Sequence, residues 1–437
     1  MKLETIKTFL LIILIATSLV LTFGMRNYQP DVTNLSDESI EEVKLGGTED
    51  ETKRTIVRPS EVIFNSNGNF FGFAKSKDRE QMYEQMQSWI FTNFATQVAG
   101  EREPDNYEIE VIFPDAIPLE LFGSIMSFNE EDIFFPEWSF KRLYITFTDT
   151  ESMNIEFVST TGNEKATATV NNPAYYEQMW TFMTSVETDM FLDYTVMDTG
   201  KENIYIPSSK LDLKKEAISF EMINPADMRD ILFPDPAVVM ESTTATGGLT
   251  YFTDSRQIRM GANNLGMEYV NPFTENTDPP LTVVSLLNSS ITNMNESGGW
   301  TGDFKLAELN VYQNLVKYRL HYRGYPVFNS ANPDLSVIEQ KWNSQQLEEY
   351  RRPLFILKNS LYQSNVDLIS AKSLIANLEA EDHPSYTLDK IQEIKIGYRL
   401  NMNLERNAIE VEPAWHVKYD GNWRVPAFSE MSQEGGD

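Results

Sequence analysis

Residues 8–25, TFLLIILIATSLVLTFGM, lie between Lys7 and Arg26 and form the longest uncharged run in the 437-residue chain. As a helix they would rise about 27 Å at ~1.5 Å per residue, close to the ~30 Å hydrocarbon core of a bilayer. The run closes on Leu21-Thr22-Phe23-Gly24-Met25 rather than on an Ala-x-Ala cleavage pattern, and the chain has no Cys to carry a lipid. The expectation is an uncleaved, single-pass transmembrane helix. Lys2, Lys7 and the terminal amine outweigh Arg26, which keeps residues 1–7 as a cytoplasmic tip and puts residues 27–437 outside the cell membrane. The bulk of the chain must then fold as an extracytoplasmic body on a tether.

Composition limits what that body can be. With 41% hydrophobic and 12% aromatic residues, it can bury packed cores and is not a disordered tail. About 410 residues beyond the run suffice for two or three domains. After Arg26 the balance is 33 basic against 64 acidic side chains, for a whole-chain net charge of −29. That sign repels phosphate backbones, so no nucleic-acid partner is expected. The lack of Cys excludes disulfides and thiol chemistry. His321, His383 and His416 are too few and too scattered for a usual zinc site. No metal or other cofactor is expected.

Along the chain, residues 26–54 read as an acidic linker, interrupted by Gly46-Gly47. An N-terminal α+β domain follows over 55–207. Its features are an Asn67-Gly68 hairpin turn and an amphipathic helix over 77–98 with Met82, Met86, Trp89, Ile90, Phe94 and Val98 on one face. A strand over Tyr107–Phe113 is stopped by Pro114, and a hairpin spans Leu143–Thr148 and Met153–Val158. A second helix opens at Asn172-Pro173. A middle α+β domain over 208–330 begins with a strand at Ala217–Glu221, a short helix at Pro225–Leu232 and a meander over 249–270. A C-terminal α+β domain takes 331–437, with Leu335–Tyr350 read as a helix on the strength of Ile338, Trp342 and Leu347. The last two domains look alike. Helix 282–294 precedes strands 304–311 and 315–322, and helix 368–380 precedes strands 391–401 and 408–418. Each unit ends on an extended Pro-aromatic step.

Catalytic motifs are weak. Gly261–Gly266 lacks the Lys-Ser/Thr of a phosphate loop and sits between strands. Ser297-Gly298-Gly299 is no nucleophile elbow. Glu130-Glu131-Asp132 and Glu41-Glu42 are adjacent acids in polar segments, not a pair split by environment as glycosidic cleavage needs. Asp235 reads as a turn residue between Pro234 and Pro236. No Ser–His–Asp spacing is recognisable, and His321 and His416 read as structural. Trp300, Trp342, Trp415 and Trp423, with Tyr325 and Phe328, offer either core anchors or a sugar-stacking platform.

Several segments in order, Asn27-Tyr28-Gln29-Pro30, Ile56-Val57-Arg58-Pro59, Leu232–Pro236, Gly324-Tyr325-Pro326-Val327-Phe328, Glu412-Pro413-Ala414-Trp415 and Asp420-Gly421-Asn422-Trp423, resemble the YycH family along the whole chain. That resemblance implies a membrane-anchored accessory regulator of the WalK/WalR (YycG/YycF) two-component system of low-GC Gram-positive bacteria. It implies action beside the related protein YycI on the sensor kinase that controls cell-wall metabolism, three extracytoplasmic domains of which the last two are alike, and no catalytic residues. Such a regulator must meet the kinase's membrane helices, where small and hydroxyl side chains permit close approach. Ala16, Thr17, Ser18, Thr22 and Gly24 are the candidate contacts. The rival reading is an exported cell-wall-polymer binding module or wall-modifying enzyme.

Overall fold

The computed structural model describes residues 43–428, apart from residues 101, 131–132, 149–150, 185–188, 201, 209–210, 244–246, 273–280, 330, 381–385 and 404–405. The run 8–25, with Ala16, Thr17, Ser18, Thr22 and Gly24, falls outside them. Among the described residues no helix is long and apolar enough to cross a membrane. The fold is mixed α+β, dominated by two sheets with few helices.

The first sheet draws on β1 (Glu61–Ser66), β2 (Asn69–Phe73), β3 (Ile90–Val98), β4 (Tyr107–Pro118) and β5 (Ser127–Phe128). It continues through β6 (Ser139–Phe147), β7 (Met153–Ser159), β8 (Glu164–Val170), β9 (Phe191–Asp198) and β10 (Asn203–Pro207). Its order is β10-β9-β2-β1-β4-β6-β7-β8-β3-β5. Asn67 (φ 51°) and Gly68 (φ 82°) close the β1–β2 hairpin in the left-handed geometry that Asn-Gly favours. Helix α1 (Lys53–Ile56) enters the sheet, and α2 (Ser76–Met86), α3 (Leu119–Gly123) and α4 (Pro173–Thr184) pack on it. The Asn172 side chain accepts from the amides of Ala174 and Tyr175 and so starts α4, which buries Met179 and Met183.

Two sequence expectations fail here. The helix expected over 77–98 ends at Met86, because Ile90-Phe91-Thr92-Asn93-Phe94-Ala95-Thr96-Gln97-Val98 pairs with β8 as β3. Met82, Met86 and Trp89 are buried as the helical period requires, but the β-branched residues beyond them suit a pleated surface. Pro114 does not stop its strand. β4 runs on to Pro118 through a register shift against β6 between Ile112 and Ile117, where a missing N–H breaks no ladder.

The second sheet opens with β11 (Lys214–Met222), helix α5 (Pro225–Leu232), β12 (Met240–Thr243), β13 (Leu249–Phe252), β14 (Gln257–Met260) and β15 (Gly266–Val270). After helix α6 (Val283–Glu296) come β16 (Asp303–Asn310), β17 (Leu315–Tyr322), β18 (Tyr325–Phe328), β19 (Val337–Asn343), β20 (Gln346–Pro353) and β21 (Phe355–Asn365). Helix α7 (Ala371–Glu379) leads into β22 (Ile391–Asn403), β23 (Ala408–Tyr419) and β24 (Asn422–Arg424). The order is β12-β13-β14-β15-β20-β19-β17-β18-β22-β23-β11-β21, with β16 on β17 and β24 on β23. The helix-then-hairpin pattern occurs twice, as α6-β16-β17 and α7-β22-β23. Pairing crosses the expected 330/331 boundary. β19 and β20 pair with β17 and β15, while β11 pairs with β21 and β23.

The helix expected over Leu335–Tyr350 is the β19–β20 hairpin, turned at Ser344 (φ 54°). Ile338 and Trp342 stand four residues apart, a spacing shared by one helix face and one strand face. Gln340 between them decides it. Its side chain is buried, accepts from Ser290 Oγ and donates to Asn293 Oδ1, both on α6. A helix would have turned it outward.

A seam joins the start of the described body to the loop after α6. The amides of Leu45, Gly47 and Thr48 donate to the carbonyls of Ser297, Gly298 and Trp300 at 2.9, 2.9 and 3.2 Å. Asn295 Nδ2 donates to the Glu51 carbonyl and Oδ1 accepts from Trp300 Nε1. Thus part of the stretch expected to be a linker is held on the body. From the other side Arg352, 0% exposed, fills the loop's hydrogen-bonding needs. Its Nη2 donates to the Gly299 carbonyl at 3.0 Å and Thr301 Oγ1 at 2.8 Å, Nη1 to Tyr350 Oη at 3.0 Å and Nε to the Pro353 carbonyl at 3.2 Å. A Cβ at Gly47 would lie 2.4 Å from the Trp300 carbonyl. Gly47→Ala is therefore expected to open the seam, at a cost of about 2 kcal/mol or more. Hydrogen exchange at Leu45, Gly47 and Thr48 reads it, and unchanged protection would contradict the tight approach.

Candidate functional site

The chemistry gathers in a cleft of ≈ 680 Å³ between the two sheets. One wall is the first sheet and α2, presenting Glu61, Phe73, Arg79, Asp115 and Tyr194. The other is the second sheet, presenting Arg319 and His321 from β17, Tyr325 and Phe328 from β18, Lys395 from β22, Lys418 from β23 and Trp423 from β24. Two contacts fix the walls. The β17–β18 turn uses Arg323 (φ 51°) and Gly324 (φ 80°), and Gly324 touches Ser76 so closely that a Cβ would overlap its Oγ at 1.8 Å. Behind the cleft, Met197, Ile204 and Ile206 of the first sheet share an apolar cluster with Leu374, Leu378, Ile394, Ile396 and Trp415.

The alternation of β17 explains its role. Val316, Tyr318 and Leu320 face the core, so Lys317, Arg319 and His321 face the cleft. Lys317 meets Glu308 and Glu339 at 3.1 and 3.4 Å, and Arg79 meets Glu61 at 3.6 Å. Tyr194 Oη also donates to Glu61, at 3.2 Å. Arg319 has no carboxylate within 4 Å among the described residues. Its Nη1 donates to the Val327 carbonyl at 3.1 Å and its guanidinium lies 4.5 Å over the Phe328 ring. Burial lowers its pKa to about 10, against the pull of Glu393 and Glu308. Glu393, whose charge acts on Arg319, is itself surrounded by lysines. Burial pushes its carboxyl up, but Lys395, Lys141 and Lys418 outweigh burial and hold it at about 2. Lys395 forms an ion pair with it and lies 5.2 Å over Trp423.

The histidines come near the cleft but not as a catalytic set. His321 Nδ1 donates to the Arg319 carbonyl at 3.0 Å, and burial lowers its pKa to about 4 despite Asp303 on the neighbouring strand. His416 is 1% exposed, stacks on Phe328 at 4.1 Å and donates from Nδ1 to the Ala414 carbonyl. Its Nε2 is buried without a partner, and burial lowers its pKa to about 3. His383 lies outside the described residues. Among the described residues no group of three or more His, Asp or Glu side chains stands ready for a metal.

The aromatic platform is divided. Trp300, Trp342 and Trp415 are buried in the core, whereas Tyr325, Phe328 and Trp423 meet at the cleft, with Phe328 and Trp423 at 4.9 Å. Asp235 is a turn residue, accepting from the Ala237 amide, and residues 261–266 are a turn between β14 and β15. Glu130 accepts from the Asn93 amide, while Glu41, Glu42, Glu131 and Asp132 lie outside the described residues. No motif in the sequence marks the cleft cations Arg319, Lys395 and Lys418. Their only signal is that each alternates with buried apolar neighbours on a strand, which many solvated lysines also do.

The family model described as the YycH protein N-terminal domain matches residues 4–188, and that of the YycH protein C-terminal domain matches residues 201–433. A curated protein of Bacillus subtilis (strain 168), "Two-component system WalR/WalK regulatory protein YycH", is 22% identical over 469 residues, covering 100% of this chain and 99% of the relative. The crystal structure of YycH from Bacillus subtilis superposes with a TM-score of 0.69 at 17% identity, covering 87% of this chain and 98% of that one. The likeness in structure is a likeness of fold.

Proposed function

The chain belongs to the YycH family, and from that premise we propose that it is a membrane-anchored, non-enzymatic regulator of a cell-wall-controlling two-component system. Its partners in this reading are the sensor histidine kinase WalK (YycG) and the related protein YycI. The observation that carries the reading is the end-to-end match to a protein named as a WalR/WalK regulator. The N-terminal family model begins at residue 4 and so takes in the apolar run, which supports treating residues 8–25 as part of the working protein. The regulator sits in the cell membrane with its N-terminus cytoplasmic and its body outside. Ala16, Thr17, Ser18, Thr22 and Gly24 meet the kinase's membrane helices, where close approach and hydrogen bonding hold helices together in lipid. Regulation is a shift of the kinase between two signalling states, driven by unequal affinity for them.

The test is replacement of residues 8–25 by an unrelated apolar helix of equal length. Co-purification with the kinase should fall at least about tenfold, equivalent to ~1.4 kcal/mol, while the body keeps its thermal melting point. Undiminished co-purification would remove the helix contact. Kinase-pathway reporter output left unchanged by deletion of the whole chain would remove the regulator reading.

A further inference from the structure

The chain as a whole is strongly acidic, with 36 basic against 65 acidic side chains. The cleft departs from that balance, since its lining holds as many Lys and Arg as Asp and Glu, seven of each. Several of those acids are already matched. Lys305 pairs with Asp303 at 3.0 Å, Lys317 with Glu308 and Glu339, and Arg79 with Glu61. Among the described residues the unpaired acids Glu80, Asp115 and Asp334 lie on α2, β4 and the turn before β19, and what is left over on the β17–β23 stretch of the wall is cationic. Arg319 and Lys418 have no carboxylate within 4 Å among the described residues, and Lys395 shares Glu393 with Lys141. Asp115 faces Lys418 from across the cleft without forming a pair, and burial raises its pKa.

Arg319 is also oriented. One guanidinium nitrogen, Nη1, is bound to the Val327 carbonyl, and the guanidinium carbon lies 4.5 Å from the Phe328 ring centroid. Among the described residues the Nε–Nη2 edge has no hydrogen-bond acceptor. That edge carries two parallel N–H groups, the geometry that matches two oxygens of a carboxylate or phosphate. Beside it the cleft offers the half-buried rings of Tyr325 and Trp423. The volume of ≈ 680 Å³ falls within the range of about 300–1,000 Å³ usual for small-molecule sites, where a few placed polar groups sit among apolar ones.

We propose that this cleft is a binding site for a small oxyanion, a carboxylate or phosphate, attached to a flat apolar group. The oxyanion docks on the Nε–Nη2 edge of Arg319 with Lys418 beside it, and the flat group lies against Trp423 and Tyr325. Binding here is independent of kinase regulation, because it is read on the purified chain alone.

The test titrates the full-length chain in neutral detergent with phenyl phosphate, benzoate, inorganic phosphate and benzylamine, followed by tryptophan fluorescence and calorimetry. Saturable binding of phenyl phosphate or benzoate is expected, with the tighter of the two naming the oxyanion. Inorganic phosphate and benzylamine should each bind at least about tenfold more weakly. Arg319→Gln and Trp423→Leu should each weaken the aromatic anion at least about tenfold at an unchanged melting point. If Arg319→Gln does not fold, Lys418→Gln carries the anion arm, with a loss of about threefold or more expected. No saturation by either aromatic anion at about 10 mM would overturn the proposal. So would benzylamine binding as tightly, inorganic phosphate binding as tightly, or folded variants that bind like the parent.

Discussion

Arg352→Ala is expected to lower the unfolding free energy by about 3–5 kcal/mol. The side chain is fully buried and every hydrogen bond it makes is to a carbonyl or hydroxyl oxygen, with no carboxylate among them. Removing it takes one of two donors from the Gly299 carbonyl, which keeps the Thr301 amide at 2.9 Å, leaves the Thr301 hydroxyl without its buried donor, and opens a void the size of a long side chain. Both effects act in the same direction. Arg352→Met separates them, because it fills most of the space and restores no donor, so it should recover only about 1–2 kcal/mol. Denaturant unfolding of the full chain measures both. A loss below about 1 kcal/mol for the alanine variant would show that water or a shifted loop replaces the donors.

Acidification is the second large effect. The folded pKa of His416 lies at about 3, below its ordinary 6.5, because burial disfavours the charged ring and Arg319, Arg399 and Lys395 add to that. Nδ1 donates to the Ala414 carbonyl, so a second proton must go to Nε2, which has no acceptor. The unfolded chain therefore takes up the proton first. The stability at stake is complete above pH 6.5 and is lost as pH falls from 6.5 toward 3, by about 3 kcal/mol at pH 4. His321, lowered to about 4, acts in the same direction. Glu393 responds in a lower window. Its folded pKa of about 2 lies below the ordinary value of 4.5, so its contribution is full above 4.5 and is lost as pH falls through 2. His416→Phe keeps the stacking on Phe328 and removes the titration, so the melting point should fall less between pH 7 and pH 4 than in the parent. An imidazole pKa above 6 for His416 by NMR would sink this account.

How much of this was written in the residues depends on the kind of signal. Turns and caps are local chemistry, and Asn67-Gly68, Asn172-Pro173 and Pro225–Leu232 stand where their residues indicate. In 335–350 and 90–98 a spacing of four fits both periods, and long-range partners decide between them: α6 for Gln340, β8 for β3. The cleft was the least legible part. Arg319, Lys395 and Lys418 come from three strands, two of them over 70 residues from the first. Nothing local distinguishes a cation that the fold turns into a cleft from one left in water. Tyr325, Phe328 and Trp423 stand out in the sequence as aromatic candidates, but only the fold separates them from Trp300, Trp342 and Trp415, which the core takes.

The seam between Leu45–Thr48 and the loop after α6 has a mechanical side. With residues 8–25 in the bilayer, as proposed above, the 19 residues from 26 to 44 could reach no more than about 65 Å at full stretch, which bounds the distance from bilayer to seam. A pull from that end would reach three amide–carbonyl pairs, and behind them Trp300, Asn295 and the end of α6. Displacement of the membrane end would thus load the loop between α6 and β16, next to the buried Arg352 of β20, a point about 250 residues further along the chain.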